Sequence, residues 1–385
     1  MRRHNRLHLF DTFLESRTVD SLIIMFTKNA LPTALLGLSV FADLCNGFGL
    51  GGLGFKRTVA DVSPVSTAYT SQAGTFNLTA SQLSQDYKIN SYWTIYFLHG
   101  SNGHDYFAVG HLSAKGSTPK GANIRVSLLD INDSKYFGTE HSDPNAVFSN
   151  ETFYYKADKF ETYSTASDLY SNQVVKSTVE GAEFTLVSEP KGPNFYDAGS
   201  GIYMWGTDWT YEAAYPEQWV TGNLTYNGEL IDIVPEKSMS WLDRQFGPGF
   251  GAEGWHLWIL MFDNGIKTCI WRSEAVGAAP KQYFATFMFP DGHHEVYPIA
   301  DEIHQSQPFV SNQTGFTYYG RHKVSIPGIG AEFDIRQPTL AGEMTSPTDP
   351  TPLNTLYEGY AIASGHIGGQ RVSGWGVAER KYPSI

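Results

Sequence analysis

The sequence has little cysteine, little positive charge and few of the residues that build helical bundles. Its 385 residues include two cysteines, Cys45 and Cys269, so a scaffold held together by disulfides is excluded. Only 17% of the residues are charged, and an excess of Asp and Glu gives a net charge of −12. Nucleic acids and anionic membrane surfaces bind clusters of Lys and Arg, so the composition argues against both partners.

What the sequence does have is aromatic and glycine residues. Apolar residues make up 41% of the chain, aromatic residues 14%, and there are 38 glycines. This composition is too apolar for a disordered chain and favours β-structure over helices. At about 100–200 residues per domain, the length suggests two domains.

Short alternating or aromatic segments, each bounded by turn residues, predict antiparallel strands from residue 92 onwards. Residues 262–265 (FDNG), 289–292 (PDG after Phe289) and 365–369 (GHIGG) each predict a hairpin. Strands joined by short returns are typical of an up-and-down meander that closes into a barrel. We therefore predict an all-β fold of two antiparallel β-barrel domains with few short helices.

The domain boundaries follow from composition. A proline and two charged residues interrupt the aromatic strands at residues 234–240, which we interpret as the joint between the domains. The predicted organisation is an N-terminal extension and leader at residues 1–57, a first β-domain at 58–235 and a second at 236–385.

The N-terminal region has the pattern of a secretory leader that begins at a second methionine, Met25. Lys28 supplies a basic start, and residues 30–44 supply an apolar stretch of the expected length. That stretch is too short to predict a membrane span. We expect secretion or a vesicular location; a cytosolic protein with a stray apolar segment is the alternative. Five sequons agree with secretion and predict glycosylation at Asn77, Asn132, Asn150, Asn223 and Asn312.

The densest unusual cluster is residues 240–247 (SWLDRQFG). Alternation along a strand puts Trp241, Asp243 and Gln245 on one face, and Arg244 on the other. An acid and an amide among aromatic walls predict a cavity in which desolvation keeps the Asp243 carboxyl protonated, as a proton donor requires. The alternative is that Asp243 and Arg244 pair in a buried turn and only stabilise the joint.

A second aromatic segment runs over residues 203–217. Trp205, Trp209 and Tyr215 are candidates for ligand contact, although ordinary core packing would explain many of these rings. The histidines do not have metal-ligand spacing: His293 and His294 are adjacent, and adjacent strand residues point to opposite faces. We predict no metal site.

Two segments resemble one family. Residues 240–247 are similar to the Trp-x-Asp-His/Arg-Gln-Trp-Gly signature of the lipocalin-like hydratases, which include AttH-type proteins, carotenoid 1,2-hydratases and kievitone hydratases. Residues 357–379 resemble the same family's final hairpin, and Tyr215 with Pro216 resembles an element that precedes the signature, without its serine. The resemblance spans roughly residues 90–380. Arg244 and Phe246 stand where many hydratases carry His and Trp, which favours a specialised fungal branch.

The resemblance implies two lipocalin-like barrels, a pocket at or near their interface and no metal or organic cofactor. Family members add or remove water at alkenes, and the aromatic content and leader look most like the hetero-Diels-Alderases of tropolonic sesquiterpenoid biosynthesis, with kievitone-hydratase-like enzymes next. We expect a cyclase that dehydrates a hydroxylated polyketide or tropolone to an o-quinone methide and joins it to a humulene-type sesquiterpene. A hydratase or dehydratase of a prenylated phenolic, or a non-catalytic lipocalin-type carrier, is the alternative.

The residues that we expect to act in this chemistry form two groups. Catalytic roles are predicted for Asp243, Arg244, Gln245 and Tyr215. Contact with apolar small-molecule substrates is predicted for six tryptophans: Trp205, Trp209, Trp241, Trp255, Trp258 and Trp271.

Overall fold

The computed structural model describes residues 77–117, 120–149 and 151–384. The predicted leader and N-terminal extension lie outside these residues. The described chain is nearly all β, as predicted, with one short helix, α1 (Leu78–Gln82), and 3-10 turns at Asp197–Gly199, Pro235–Lys237 and Pro327–Ile329. In this part of the chain no helix has the length or the apolar character needed to cross a membrane.

Fourteen strands form the first antiparallel sheet among the described residues, and their main order is β4-β3-β2-β1-β14-β12-β9-β8-β7-β6-β5. The short strands β10, β11 and β13 pair with β12. The bounds are β1 Ile89–His99, β2 Asp105–Ala114, β3 Ala122–Asp130, β4 Lys135–Asp143, β5 Val147–Phe148, β6 Tyr154–Ala157, β7 Phe160–Ser164, β8 Gln173–Val179, β9 Ala182–Pro190, β10 Phe195–Tyr196, β11 Ile202–Trp205, β12 Asp208–Tyr226, β13 Glu229–Asp232 and β14 Met239–Gly247.

The remaining ten described strands form the second sheet, in the order β18-β17-β16-β15-β24-β23-β21-β20-β19, with β22 paired to β23. The three predicted hairpins are the β15–β16, β17–β18 and β23–β24 connections of this sheet. The bounds are β15 Trp255–Phe262, β16 Lys267–Ser273, β17 Gln282–Met288, β18 His294–Pro298, β19 His304–Val310, β20 Thr317–Ile326, β21 Ala331–Arg336, β22 Glu343–Thr345, β23 Thr355–Ile367 and β24 Gln370–Lys381.

The two sheets are curled, each around its own apolar core, as in two lipocalin-like barrels. The first core includes Tyr96 and Phe160, and the second includes Trp258 and Phe333. Strand β14 pairs with β1 and β12 and therefore lies in the first sheet. The chain passes from one sheet to the other at residues 248–254, later than the joint predicted at residues 234–240.

A third core lies between the sheets because strands β1 and β15 bury both of their faces. On β1, Tyr96 points into the first core and Phe97 points to the third; on β15, Trp258 points into the second core and Ile259 points to the third. The Phe97 ring lies 6.3 Å from the ring of Tyr360 on the second sheet. The alternation of each strand thus serves two cores at once.

Buried polar contacts fix the register between the sheets. The Trp93 indole Nε1 donates to Glu358 Oε1 at 2.8 Å, which joins β1 to β23. Lys267 on β16 forms an ion pair of 3.1 Å with Glu217 on β12, and both side chains are buried. Each contact has one partner in each sheet and therefore fixes the distance between the sheets at that point. Together the contacts help to define the shape of the space between the sheets.

The close pairing of β15 with β24 depends on a glycine. A Cβ atom on Gly376 would lie 1.8 Å from the Ile259 carbonyl oxygen, so Gly376→Ala must displace backbone. We expect the free energy of unfolding to fall by about 1–3 kcal/mol, the usual cost of overpacking. Denaturant unfolding measures it. The control is Gly192→Ala, whose Cβ would meet nothing nearer than Glu217 Cβ at 3.3 Å; equal stability of the two variants would contradict the prediction.

Candidate active site

A cavity of about 1110 Å³ lies between the two sheets, next to the third core, and shares lining residues with that core. Both sheets contribute to its wall. Its apolar surface includes five aromatic rings and one leucine from β1, β11, β15, β16 and the segment between the sheets. These residues are Trp93, Trp205, Phe250, Trp255, Trp271 and Leu257. Its polar surface includes Ser91, His111, Arg125, Glu212, Asp243, Gln245, Glu379 and Lys381.

Strand β14 brings Asp243 into this wall. The Trp241 indole Nε1 donates to Asp243 Oδ1 at 2.6 Å. Burial, followed by the nearby Asp197 carboxylate, raises the pKa of Asp243 well above its usual value. Burial therefore favours the protonated form of Asp243, the form that can donate a proton.

A second acid, Glu212 on β12, lies beside it. The Tyr203 hydroxyl donates to Glu212 Oε2, and the Gln245 amide Nε2 donates to the Tyr203 oxygen at 3.2 Å. Burial, then Asp197 and Asp243, raise the pKa of Glu212 well above its usual value. The two cavity acids therefore disfavour each other's ionisation, as paired carboxyl groups do.

Asp197 begins a 3-10 turn behind these acids. It is fully buried, and no described residue forms an ion pair with it. Burial raises its pKa to about 7, so its charge changes near neutral pH. Because Asp197 acts on both Asp243 and Glu212, it helps to keep them protonated.

Two further buried acids come from the second sheet. Trp93 donates to Glu358, and the Trp255 indole Nε1 donates to Glu379 Oε1. Burial is the main cause that raises the pKa of both acids, and Glu379 adds to the shift of Glu358. Together with the Trp241–Asp243 contact, this makes three tryptophans that each hold one buried carboxyl group.

One cation, Arg125, occupies another part of the wall. The Arg125 guanidinium from β3 donates through Nη1 to His111 Nδ1 at 3.4 Å, and His111 Nε2 lies 2.9 Å from Ser91 Oγ. Burial lowers the pKa of His111 well below its usual value. The ring is therefore neutral, and these two contacts assign its proton to Nε2.

Of the four predicted catalytic residues, the structure brings Asp243 and Gln245 to the cavity. Arg244 lies on the other face of β14, where it donates to the carbonyl oxygens of Ser81, Leu83 and Gln245 at 2.6–2.9 Å and stacks on the Tyr92 ring at 4.2 Å. It joins the segment around α1 to the sheet, and the alternation of the strand keeps it out of the cavity.

Tyr215 also lies away from the cavity. Its hydroxyl accepts from Gln82 Nε2 at 3.3 Å, and its ring stacks on Tyr170 at 5.9 Å. Both contacts belong to a small apolar cluster that includes α1 and Phe246. A role for Tyr215 in holding a substrate oxygen is therefore not supported.

Three of the six predicted tryptophans line the cavity: Trp205, Trp255 and Trp271. Trp241 is fully buried behind Asp243, and its role is to hold that acid. Trp258 lies in the core of the second barrel, 5.4 Å from the His322 ring. Trp209 is partly exposed and packs on Tyr87. Neither Trp258 nor Trp209 contacts the cavity because each points to the wrong face of its strand.

Sequence reasoning missed Glu212, Glu379, Arg125 and His111 as cavity residues. Each is a buried polar residue with apolar neighbours in its strand, and that local pattern was the available signal. Arg125 is the clearest case, since it interrupts the apolar part of β3 with a full charge.

The structure also locates the predicted sequons and possible metal ligands. Asn77 caps α1, Asn132 accepts from the Asp105 amide, Asn223 is half-buried and Asn312 is exposed; Asn150 lies outside the described residues. Glycosylation at these sites stays a prediction. One group of three possible metal ligands occurs in the described ranges, His104 with Asp130 and Asp133, away from the cavity. His104 Nδ1 and the Asp133 amide already bind Asp130.

The fold and the cavity define a two-barrel lipocalin-like protein with an acid-lined site between the barrels. No family model matches the chain. It is 25% identical to a kievitone hydratase of Fusarium solani subsp. phaseoli over 297 residues, 76% of this chain and 82% of the hydratase. It is 27% identical to dehydratase asqC of Emericella nidulans over 317 residues, 80% of this chain and 88% of the dehydratase.

Solved structures show the same fold. The crystal structure of kievitone hydratase from Nectria haematococca superposes with a TM-score of 0.75 at 20% identity, covering 86% of this chain and 98% of the hydratase. An AttH-type protein from Nitrosomonas europaea gives 0.65 at 17% identity, covering 85% and 100%. CghA gives 0.52 at 12% identity, covering 77% and 89%. These similarities confirm the predicted resemblance to the lipocalin-like hydratase and AttH-type proteins, and the two relatives found by sequence are named as a hydratase and a dehydratase.

A structural role for Arg244 has a measurable consequence. Arg244→Lys removes the planar fork and leaves buried carbonyl groups without donors, so we expect the free energy of unfolding to fall by about 3 kcal/mol or more. Arg321→Lys is the control, since Arg321 pairs with Asp334 near the surface and should cost under about 1 kcal/mol. If Arg244→Lys unfolds like the parent protein but has no activity, Arg244 acts in the chemistry after all.

Asp197 predicts a pH dependence of stability. An unfolded aspartate ionises near pH 4, whereas folded Asp197 keeps its proton to about pH 7. Its contribution to stability therefore falls as the pH rises from 4 to 7 and stays low above that. We expect the free energy of unfolding of Asp197→Asn to fall less over this range than that of the parent protein. The two falls should differ by a few kcal/mol, as an order of magnitude, at pH 8. Thermal unfolding from pH 4 to 8, with exposed Asp301→Asn as the control, measures it; parallel curves would contradict the prediction.

Proposed function

We propose that the protein is a cofactor-independent enzyme of fungal secondary metabolism. In this proposal it removes water from a hydroxylated polyketide aromatic or tropolone to give an o-quinone methide. It then holds a sesquiterpene, such as a humulene derivative, for a stereoselective hetero-Diels-Alder cycloaddition. The observation that carries the proposal is a buried carboxyl group, Asp243, in the wall of an aromatic cavity, where burial raises its pKa well above the usual value.

The dehydration step needs an acid that protonates the leaving hydroxyl group and an electron pair on the ring oxygen that forms a new C=O bond. Asp243 gives its proton to the hydroxyl on the side-chain carbon while the C–O bond breaks, and water leaves. The electron pair on the ring oxygen forms the C=O bond of the quinone methide, and the ring electrons form its exocyclic C=C bond. The proton lost from the ring hydroxyl replaces the one that Asp243 gave up, so the net change is the loss of one water.

The size and lining of the cavity support a second partner. Pockets for one drug-sized ligand usually occupy about 300–1,000 Å³, and this one has about 1110 Å³. The tryptophan rings offer flat apolar surfaces for the quinone methide and the alkene, and the Gln245 amide offers hydrogen bonds to a carbonyl oxygen. Holding two reactants in one orientation can contribute about 7–11 kcal/mol, which suits a reaction that needs no covalent intermediate.

A hydratase or dehydratase that acts on a prenylated phenolic is the second candidate, and the names of the relatives favour it. It would use the same acid and the same cavity, with water as the only partner. A non-catalytic carrier would need the apolar cavity but not the protonated acids. As proposals that accompany the function, we place the protein in the secretory pathway, secreted or vesicular, with small apolar substrates as its ligands.

The acid role of Asp243 is tested by Asp243→Asn. The amide has the shape of the protonated acid but donates no proton, so we expect turnover to fall by about 100-fold or more while ligand affinity stays within about threefold. The control is Asp291→Asn in the exposed β17–β18 turn. Turnover equal to that of the parent protein would show that Asp243 is not the acid.

Product analysis separates the three functions. The purified protein is incubated with an o-quinone methide precursor, with and without humulene, and the products are resolved on a chiral column. The proposed cyclase gives one enantiomer of the adduct when humulene is present. A hydratase or dehydratase changes only the precursor, and a carrier leaves the uncatalysed product mixture unchanged; either result would contradict the cyclase proposal.

A further inference from the structure

Arg125 is a buried cation without an ionic partner among the described residues. Its side chain lies on β3 in the cavity wall and is 7% exposed. Its Nη1 donates to His111 at the long distance of 3.4 Å, and its Nε has no hydrogen-bond partner. Glu140, the cross-strand neighbour of Arg125 on β4, and the buried acids Glu358 and Glu379 act electrostatically on Arg125, yet none of the three forms an ion pair with it.

Folding alone does not explain this arrangement. Removing a guanidinium from water costs several kcal/mol, and protein structures usually repay this cost with a carboxylate or a full set of acceptors. Arg125 has five donors, and one of them has a described acceptor. Arginine also keeps its charge at every physiological pH. The free donors at the cavity therefore need an acceptor that comes from outside the chain.

The other basic side chain in the buried wall, Lys381, does not have free donors, and burial lowers its pKa to about 6. Lys381 Nζ lies 2.6–2.8 Å from three carbonyl oxygens, those of Pro352, Leu353 and Thr355. Its Nζ atom holds the loop before β23, with no donor left for a ligand. The neutral His111 ring donates a hydrogen bond from Nε2 to Ser91 Oγ. It therefore offers a ligand no positive charge.

The mouth of the cavity has the charge expected for entry of an anion. Three exposed lysines, Lys88, Lys115 and Lys120, and one partly buried acid, Asp143, lie around it, on a protein whose net charge is −12. Such a local excess of positive charge raises the local concentration of anionic ligands and their rate of association.

We propose that Arg125 binds an ionised oxygen of the substrate, so that the enzyme selects substrates that carry a tropolonate, phenolate or carboxylate. This inference rests on the proposed function, and it names the substrate class of the same cavity. An ionised ring oxygen held by Arg125 would also supply the electron pair that expels the hydroxyl group. Because that oxygen has lost its proton before binding, water then replaces the proton that Asp243 gave up, and the departing hydroxyl leaves as water. The paired geometry of a guanidinium suits such oxygens.

Two probes of the same shape test the inference on the unmodified protein. 2-Naphthoate and 2-naphthamide differ mainly in charge, and their binding can be followed through the fluorescence of the cavity tryptophans. We expect naphthoate to bind about 10- to 100-fold more tightly, the range expected for hydrogen bonds to a charged group. Equal affinity for the two probes would overturn the inference.

Variants then assign the preference to Arg125. Arg125→Gln should bring the two affinities to within about threefold, and Arg125→Lys should restore part of the preference because it keeps the charge. Arg336→Gln is the control, since Arg336 is exposed on the second sheet and pairs with Asp334. If folded Arg125→Gln keeps the full preference for naphthoate, another group binds the anion and the inference is wrong.

This result is independent of turnover. If the preference depends on Arg125 but no precursor reacts, the proposed function fails and the anion site stands. If the precursor reacts while the preference is absent, the function stands and the anion site fails. Asp243→Asn should keep the preference in either case.

Discussion

Burial of both faces of the central strands is the constraint on which the rest of the structure depends. A strand of one barrel usually has an apolar inner face and a solvated outer face. Here the two curled sheets pack against each other, so the outer faces of β1, β14, β15 and β24 face a third core. The cavity is a gap in that third core, and any polar group on its wall is removed from bulk water by two sheets.

This position explains the chemistry of the acids. A carboxyl group that is buried without a cation keeps its proton, because the neutral form loses less hydration free energy. Asp243, Glu212 and Glu379 each accept one hydrogen bond from a tryptophan or a tyrosine, which fixes their orientation. A neutral acid held in this way needs no metal or organic group to donate a proton.

The sequence predicted the fold better than the site, and the reason is the same double burial. The strands follow from the alternation of apolar and polar residues, and the hairpins follow from turn residues. The barrel class follows from both, and both are local features of the sequence. In a strand whose faces are both apolar, alternation says which residues share a face but not which core that face meets. Asp243 with Gln245 was therefore grouped correctly, while Arg244 could not be excluded from the site.

Other differences have equally physical causes. The contacts of Tyr215 come from α1, which is remote in sequence, and Trp258 meets the second core because of the register of β15 with β24. The joint between the domains was predicted too early, because a proline and two charges mark a turn as readily as a boundary. The lone charge of Arg125 had no neighbour in the sequence that could reveal it.

The distribution of charge in the cavity is therefore not symmetric. Asp197 raises the pKa of Asp243 and Glu212, whereas Arg125 acts on Glu358 and Glu379, where it opposes part of the effect of burial. The protonated form is therefore favoured at Asp243 and Glu212, and the positive charge of the cavity wall lies at Arg125. A substrate that spans the two regions would have electrons stabilised at one oxygen and a proton supplied to another. That polarisation is what the loss of water from a hydroxylated ring system requires, and it arises from burial of acids and of one arginine by the same pair of sheets.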